Sequence, residues 1–165
     1  MSRFANKEGA RGAAGGDEED PSPFQKGHDA ILARELKVES VTYAPTSSNP
    51  HESRNVMSFT VPKQLCNAGG MLHGGAVALI FDITTSMAIT PCIREGFWDG
   101  GHVSRNLNTT YLRPAAEGSK VFVESWVVHL GKRLGQTRGV MRLGSEDGKV
   151  GYTCEHGKVS LGSNL

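Results

Sequence analysis

One acid, Asp82, interrupts the most apolar stretch of this chain, Ala76 to Ile89, and a glycine pair, Gly74 and Gly75, stands just ahead of that stretch. An acid within an apolar helix is rarely buried without a partner or a task. The glycines bring a second chemical group. At a helix start they let a ligand approach the backbone N–H groups of the first turn, where the helix dipole is positive. A glycine pair alone would equally serve as a flexible strand-to-helix turn. Together the two features suit attack on an activated carbonyl. The N–H would hold the oxyanion, an interaction worth about 3 kcal/mol, and the carboxylate would take a proton from water or add to the carbon itself.

Helical spacing places Gly75, Leu79, Asp82 and Ser86 on one stripe, at steps of four, three and four. Asp82 nevertheless sits roughly 12 Å along the axis from Gly74, at about 1.5 Å per residue. One carbonyl carbon cannot touch both. If both act on the same bond, the carboxylate comes from a second copy of the chain, most simply across a two-fold axis.

The elements that must position these groups follow from turn residues and periodicity. A short surface helix is expected within Phe24–Glu35, then strands Leu36–Ala44 and Arg54–Val61 separated by PTSSNPHES. One long helix, Ala76–Thr90, ends at Pro91. Its apolar residues cover most of the circumference, so it should be enclosed on nearly all sides. Strands His102–Leu112, Lys120–Leu130, Leu134–Leu143 and Lys149–Leu161 complete the set, and the turns HLGKRLG and SEDGK predict antiparallel hairpins. The expected class is α+β, a curved antiparallel sheet around one central helix.

The 165 residues, 38% hydrophobic and 21% charged, suffice for one domain. Residues 1–23, rich in Gly, Ala and acids, are expected to be a disordered tail; 24–52 carry the lead-in helix and first strand, and 53–165 the main domain. No apolar run reaches the roughly 18 residues of a membrane span. The net charge of +1 argues against a nucleic-acid binder. Residues 101–165 carry nine basic and five acidic side chains, a net +4 that suits a small phosphorylated ligand. Three cysteines without a CxxC pair speak against a disulfide scaffold or a zinc site and for a reducing, cytoplasmic compartment. Arg3, Lys7 and Arg11 would suit a mitochondrial presequence, against which Glu8 and the acidic run beyond it argue. Cys66 lacks an activating base in sequence and reads as packing. His28, His51, His102, His129 and His156 fit no ligand spacing and read as structural or surface residues. Neither a nucleophile elbow nor an HExxH pattern occurs.

Asn67, the His73-Gly74-Gly75 triplet, Asp82 and the stretch VSRNLNTTYLRPA from Val103 to Ala115 together resemble hotdog-fold acyl-CoA thioesterases of the phenylacetate-pathway and thioesterase-superfamily-member-two type. The likeness covers roughly residues 53–161. It implies a six-stranded sheet around the helix and assembly into dimers or tetramers. It also implies acyl-CoA as substrate, with CoA entering only as part of that substrate and no separate cofactor or metal. By the same resemblance Gly74 donates its N–H to the thioester carbonyl, His73 and Asn67 help hold that carbonyl or the water, Asp82 of the facing subunit is base or nucleophile, and Ser104 orients the water. The loop Cys92–Gly101 is longer than in those relatives. Its Phe97 and Trp98 would roof an acyl pocket or simply anchor the loop. Gly75, Arg113, Lys132 and Arg133 are the candidates for substrate binding, the three cations for CoA phosphates. The competing readings are a hotdog hydratase or dehydratase using His73 and Asp82 as acid and base, and a non-catalytic acyl-CoA-binding module.

Overall fold

Short turns between alternating strands leave little choice but hairpins, and the chain uses them throughout. The computed structural model describes residues 29–162; the tail 1–23 and the start of the lead-in segment lie outside the described residues. Helix α1 (Ala30–Glu35) leads to strands β1 (Lys37–Tyr43) and β2 (Ser53–Thr60), helix α2 (Gly74–Met87), then β3 (His102–Tyr111), β4 (Lys120–Leu130), β5 (Leu134–Leu143) and β6 (Lys149–Ser160). The strands form one sheet in the order β1-β2-β4-β5-β6-β3, each pairing antiparallel. This is the expected α+β hotdog architecture, with β1 and β3 as its edges.

Helix α2 begins two residues earlier than expected. His73 supplies an N-cap, so the glycines form the first turn and do not precede it. The chain passes Pro91 in a 3-10 turn, Thr90–Cys92, whose first turn tolerates a missing N–H. That continuation makes Gly74–Cys92 a 19-residue run with mean hydropathy 1.4, long and apolar enough to cross a membrane by length and composition. The expectation that no run approaches that length is therefore corrected, although the sheet packs against this helix as its core element.

Burial along α2 is one-sided. Val77, Ile80, Phe81, Thr84 and Thr85 are buried, at the i, i+3, i+4, i+7, i+8 spacing of one face. Leu79, Asp82, Ile83 and Ser86 are only half-buried and Met87 is exposed, so the helix is not enclosed on nearly all sides within one chain. The buried face meets Phe59, Val61, Val121, Val123, Met141 and Tyr152 of the sheet, together with Leu32 of α1. Each large side chain removed from water contributes about 1.5–3 kcal/mol. Leu32 is fully buried, so α1 is more than a surface helix.

A second, smaller core closes the far end of α2. Ala88, Ile89, Cys92, Val127 and Leu130 surround Trp98, which is 2% exposed. Trp98 adopts a left-handed φ of 62°, an unfavourable conformation for a large side chain. Its indole Nε1 donates to the Gly131 carbonyl at 2.8 Å, and its burial offsets the backbone cost. Of the two roles open to Phe97 and Trp98, Trp98 therefore fills that of loop anchor; Phe97 stacks on His51 at 4.6 Å.

The sheet approaches α2 so closely that a Cβ on Gly139 would lie 2.7 Å from the Phe81 ring. Gly139→Ala is therefore expected to destabilise the fold by about 1–3 kcal/mol through overpacking, measured by urea denaturation; an unchanged midpoint would show that the helix can move away from the sheet.

Candidate active site

At the start of α2, the Nδ1 of His73 accepts the Gly75 N–H at 2.9 Å. This bond places the neutral ring's proton on Nε2, facing away from the helix. It also occupies Gly75, whose N–H is no longer open to substrate. The Gly74 N–H has no hydrogen-bond partner among the described residues, which leaves it as an open donor at the very start of the first turn. Asn67 shapes the loop in front: its Oδ1 accepts from the N–H groups of Gly69 at 2.9 Å and Met71 at 3.2 Å. Its carbonyl oxygen is thereby spent on the turn, and the amide Nδ2 is the group left to meet a ligand. Tyr111, at the end of β3, donates its hydroxyl to the Gly74 carbonyl at 3.0 Å. A cleft of about 420 Å³ opens here, lined by Asn67, Met71, Gly74, Tyr111 and Arg113.

Asp82 lies two turns along, on the open face of the helix, with 42% of its side chain exposed. Ser104, near the start of β3, donates its hydroxyl to Asp82 Oδ1 at 2.7 Å. Two residues of β6 close on the same point. His156 Nε2 is 2.9 Å from Ser104 Oγ and 3.4 Å from Asp82 Oδ1. Lys158 donates from Nζ to Ser86 Oγ at 2.8 Å and to Ser104 Oγ at 3.2 Å, with Asp82 Oδ1 at 4.0 Å. The register explains the convergence, because Lys158 is the direct partner of Ser104 in the β3–β6 ladder.

Hydrogen counting assigns the protons. Thr85 donates its only hydroxyl hydrogen to the Phe81 carbonyl, so it accepts at 2.7 Å from His156 Nδ1–H. His156 Nε2 is then an acceptor when the ring is neutral. Burial, and next the charge of Lys158, depress the His156 pKa to about 4 against the opposing pull of Asp82. Ser104 thus holds one hydrogen between two acceptors, Asp82 Oδ1 and His156 Nε2. Burial also lowers the Lys158 pKa, with Asp82 opposing. It lowers His102 as well, aided by Lys158.

The structure brings Asp82 and Ser104 together, and gathers Asn67, His73, Gly74 and Gly75 at the other end of α2. The three candidate cations are not gathered. Arg113 lies at the Tyr111 end of β3 and donates from Nη1 to the Val150 carbonyl at 2.7 Å. Lys132 and Arg133, both exposed, sit in the β4–β5 turn beside the His102 end, where the Ser160 N–H donates to the Arg133 carbonyl. Roughly 30 Å of strand separates the two ends. One molecule of ligand on one chain cannot meet all three. Sequence reasoning missed Tyr111 as a contact of Gly74, and His156 and Lys158 altogether. The available signal was the alternation Cys154, His156, Lys158, Ser160, a polar series on the inward face of a strand.

A neutral His156 makes stability depend on pH. Its folded pKa lies below that of the unfolded chain, so the unfolded state takes up a proton first as pH falls below about 6.5. Stability is therefore lost between pH 6.5 and about 4, by roughly 3 kcal/mol from this residue alone. Urea titrations of the wild type and His156→Asn should diverge across that window; parallel curves would show that His156 is not buried uncharged.

The thioesterase superfamily model matches residues 69–149. Acyl-coenzyme A thioesterase 13 of Mus musculus is 31% identical over 108 residues, 66% of this chain and 67% of the relative. A Caenorhabditis elegans esterase is 30% identical over 105 residues, and the match spans 59% of its length, less than two thirds. Among solved structures, zebra fish thioesterase superfamily member 2 superposes with a TM-score of 0.65 at 26% identity, covering 82% of this chain and 87% of that one. The phenylacetic acid degradation protein of E. coli gives 0.63 at 20% identity, with 82% and 86% covered, a likeness of fold. With its six-stranded antiparallel sheet and long central helix matching those structures, the chain belongs to the thioesterase superfamily.

Proposed function

We propose that the protein hydrolyses acyl-CoA thioesters to the free acid and CoA, at sites shared between two copies of the chain. The observation that carries this reading is the layout of β3. Ser104 holds Asp82, Tyr111 holds Gly74, and the two anchors lie seven residues apart on one edge strand. Within a chain they are separated by roughly 23 Å. An antiparallel two-fold pairing of β3 with its copy, centred near Leu107 and Asn108, would superpose them. Ser104 and Asp82 of one subunit would then face Tyr111 and Gly74 of the other. The edge suits such pairing, since seven of the ten residues of β3 are exposed, none is buried, and Val103 and Tyr111 are exposed by 47% and 53%.

In such a site the Gly74 N–H receives the thioester oxygen as it becomes an oxyanion. His73 Nε2–H and Asn67 Nδ2 lie on the same loop and helix start to hold the carbonyl or the water. The carboxylate of Asp82 takes a proton from water that attacks the carbon, or adds to form a mixed anhydride that water then opens. Either route uses the same residues and releases the same thiol. The antiparallel pairing would also carry Lys132 and Arg133 of one subunit toward the Arg113 end of the other, where CoA phosphates would find all three cations. CoA arrives with the substrate, and the reading calls for no further cofactor.

Two variants test the shared site together. Asp82→Ala is expected to lose about 10²–10⁴-fold in turnover across a panel of acyl-CoAs. Gly74→Pro deletes one N–H at the first helical position, where proline is tolerated, and His73 at φ −65°, ψ 137° already has the extended geometry that proline requires of its predecessor. This variant is expected to keep its fold and lose about 10²–10³-fold. Mixed and allowed to exchange subunits, the two inactive proteins should recover roughly a quarter of wild-type turnover, because half the dimers are mixed and each has one complete site. Absence of recovery despite subunit exchange would refute sharing, and near-normal thiol release by Asp82→Ala would refute the hydrolytic role.

A further inference from the structure

We infer that Lys158 is a positioning residue for the hydrolysis, an ammonium group that orients the Ser104 hydroxyl toward Asp82 from the side opposite the substrate. The inference rests on the proposed role of Asp82 and adds to it a group that never meets the acyl-CoA. Lys158 is 3% exposed. A cation so enclosed is costly unless it is given work, and here its partners are two neutral hydroxyls and one carboxylate.

Geometry defines what the charge does. An ammonium group can only donate, so Nζ takes a lone pair of Ser104 Oγ at 3.2 Å and a lone pair of Ser86 Oγ at 2.8 Å. Ser86 in turn donates to the Asp82 backbone carbonyl. Lys158 thereby ties strand β3 to the helix turn that carries Asp82. With one lone pair taken, Ser104 must send its hydrogen elsewhere, and its two remaining neighbours are Asp82 Oδ1 at 2.7 Å and His156 Nε2 at 2.9 Å. Lys158 Nζ lies 4.0 Å from Asp82 Oδ1, so its charge stands beside the same carboxylate oxygen that accepts from Ser104. The titratable neighbours from the packed elements are Asp82 on α2, His102 on β3 and His156 on β6.

The sign of the pH dependence follows. Lys158 loses its proton below the ordinary lysine range because burial disfavours its charge. Turnover should therefore fall on the alkaline side as Lys158 deprotonates. On the acid side, Lys158 is one of the groups that keeps His156 neutral. Without it His156 protonates at higher pH, donates from Nε2 toward Ser104 and Asp82, and ties up the carboxylate.

Steady-state kinetics of Lys158→Met and Lys158→Arg test this, with Asp82→Ala and Ser104→Ala as references. Lys158→Met is expected to lower kcat about tenfold with KM changed less than about twofold, to move the acid limb of the kcat profile upward and to abolish the alkaline limb. Lys158→Arg, which keeps a permanent charge, should recover most of kcat while also lacking the alkaline limb. In a Ser104→Ala background the Lys158→Met loss should shrink below about twofold, because the hydroxyl to be oriented is gone. Wild-type kcat in Lys158→Met, or an equal loss in both backgrounds with neither limb moved, would overturn the inference. If Lys158→Met fails to fold, Ser86→Ala removes one of the two hydroxyls that hold Nζ; it should displace the alkaline limb, and an unmoved limb would overturn the inference. Should Asp82→Ala keep its activity, the hydrolytic reading itself falls; loss in Asp82→Ala without effect in the Lys158 variants leaves that reading intact and rejects this one.

Discussion

Eight residue steps of α-helix separate the open N–H of Gly74 from the carboxylate of Asp82, and a helix cannot be shortened. The resulting gap of about 12 Å along the axis is the constraint from which the rest of the arrangement follows. A thioester carbonyl is one atom wide. If donor and base are both to reach it, the helix must present each to a different copy of the chain. The exposed edge β3 runs beside both ends of α2 and carries an anchor for each, Ser104 for the acid and Tyr111 for the glycine. The strand that would join two subunits is thus the strand that holds both halves of each site.

The one-sided burial of α2 belongs to the same argument. Within a chain, the sheet takes the face bearing Val77, Ile80, Phe81, Thr84 and Thr85, and leaves Leu79, Asp82, Ile83 and Ser86 half-covered. Leu79 and Ile83 pack in part against the main core and in part face outward beside the carboxylate. The sequence alone suggested a helix enclosed on nearly all sides because hydrophobicity round a helix does not state which of its apolar faces the sheet covers. Periodicity reports that a face is apolar, and the geometry of the sheet reports that this chain covers only half of it.

Much of the fold was legible for local reasons. The strands β4 and β5 fall on the expected residues because alternation and glycine-bearing turns bound them at both ends. Asp82 and Gly74 stood out as residue types in unusual surroundings. His156 and Lys158 were not legible, because nothing in a strand's own sequence states which side chain faces it across the ladder. Their task depends on the register that sets Lys158 against Ser104, and on a bulge between Ser104 and Asn106 that shifts the pairing by one residue. A one-residue error in that register would turn both side chains to the wrong face. The three cations illustrate the converse, since their composition suggested a common task while the topology set Arg113 at one end of β3 and Lys132 and Arg133 at the other.

The two cores then divide the work of placing these groups. Leu72, Ala115 and Tyr152 of the main core sit beside the glycine end, where the Leu72 N–H donates to the Ala115 carbonyl and Tyr152 accepts from the Ala115 N–H. That packing fixes Asn67, Gly74 and Tyr111 relative to one another. Trp98 anchors the opposite end. Its indole lies 5.8 Å from the His102 ring at the first residue of β3 and bonds to the β4–β5 turn. The long loop after Pro91 therefore does structural work two residues from Ser104, and the left-handed backbone at Trp98 is the conformational cost of bringing that anchor under the strand. Because each core governs one end of β3, damage to the Trp98 core would disturb Ser104 and Asp82 while sparing the glycine N–H, and damage around Tyr152 would do the reverse. The separation that α2 imposes on the chemistry is matched by a separation in what holds it.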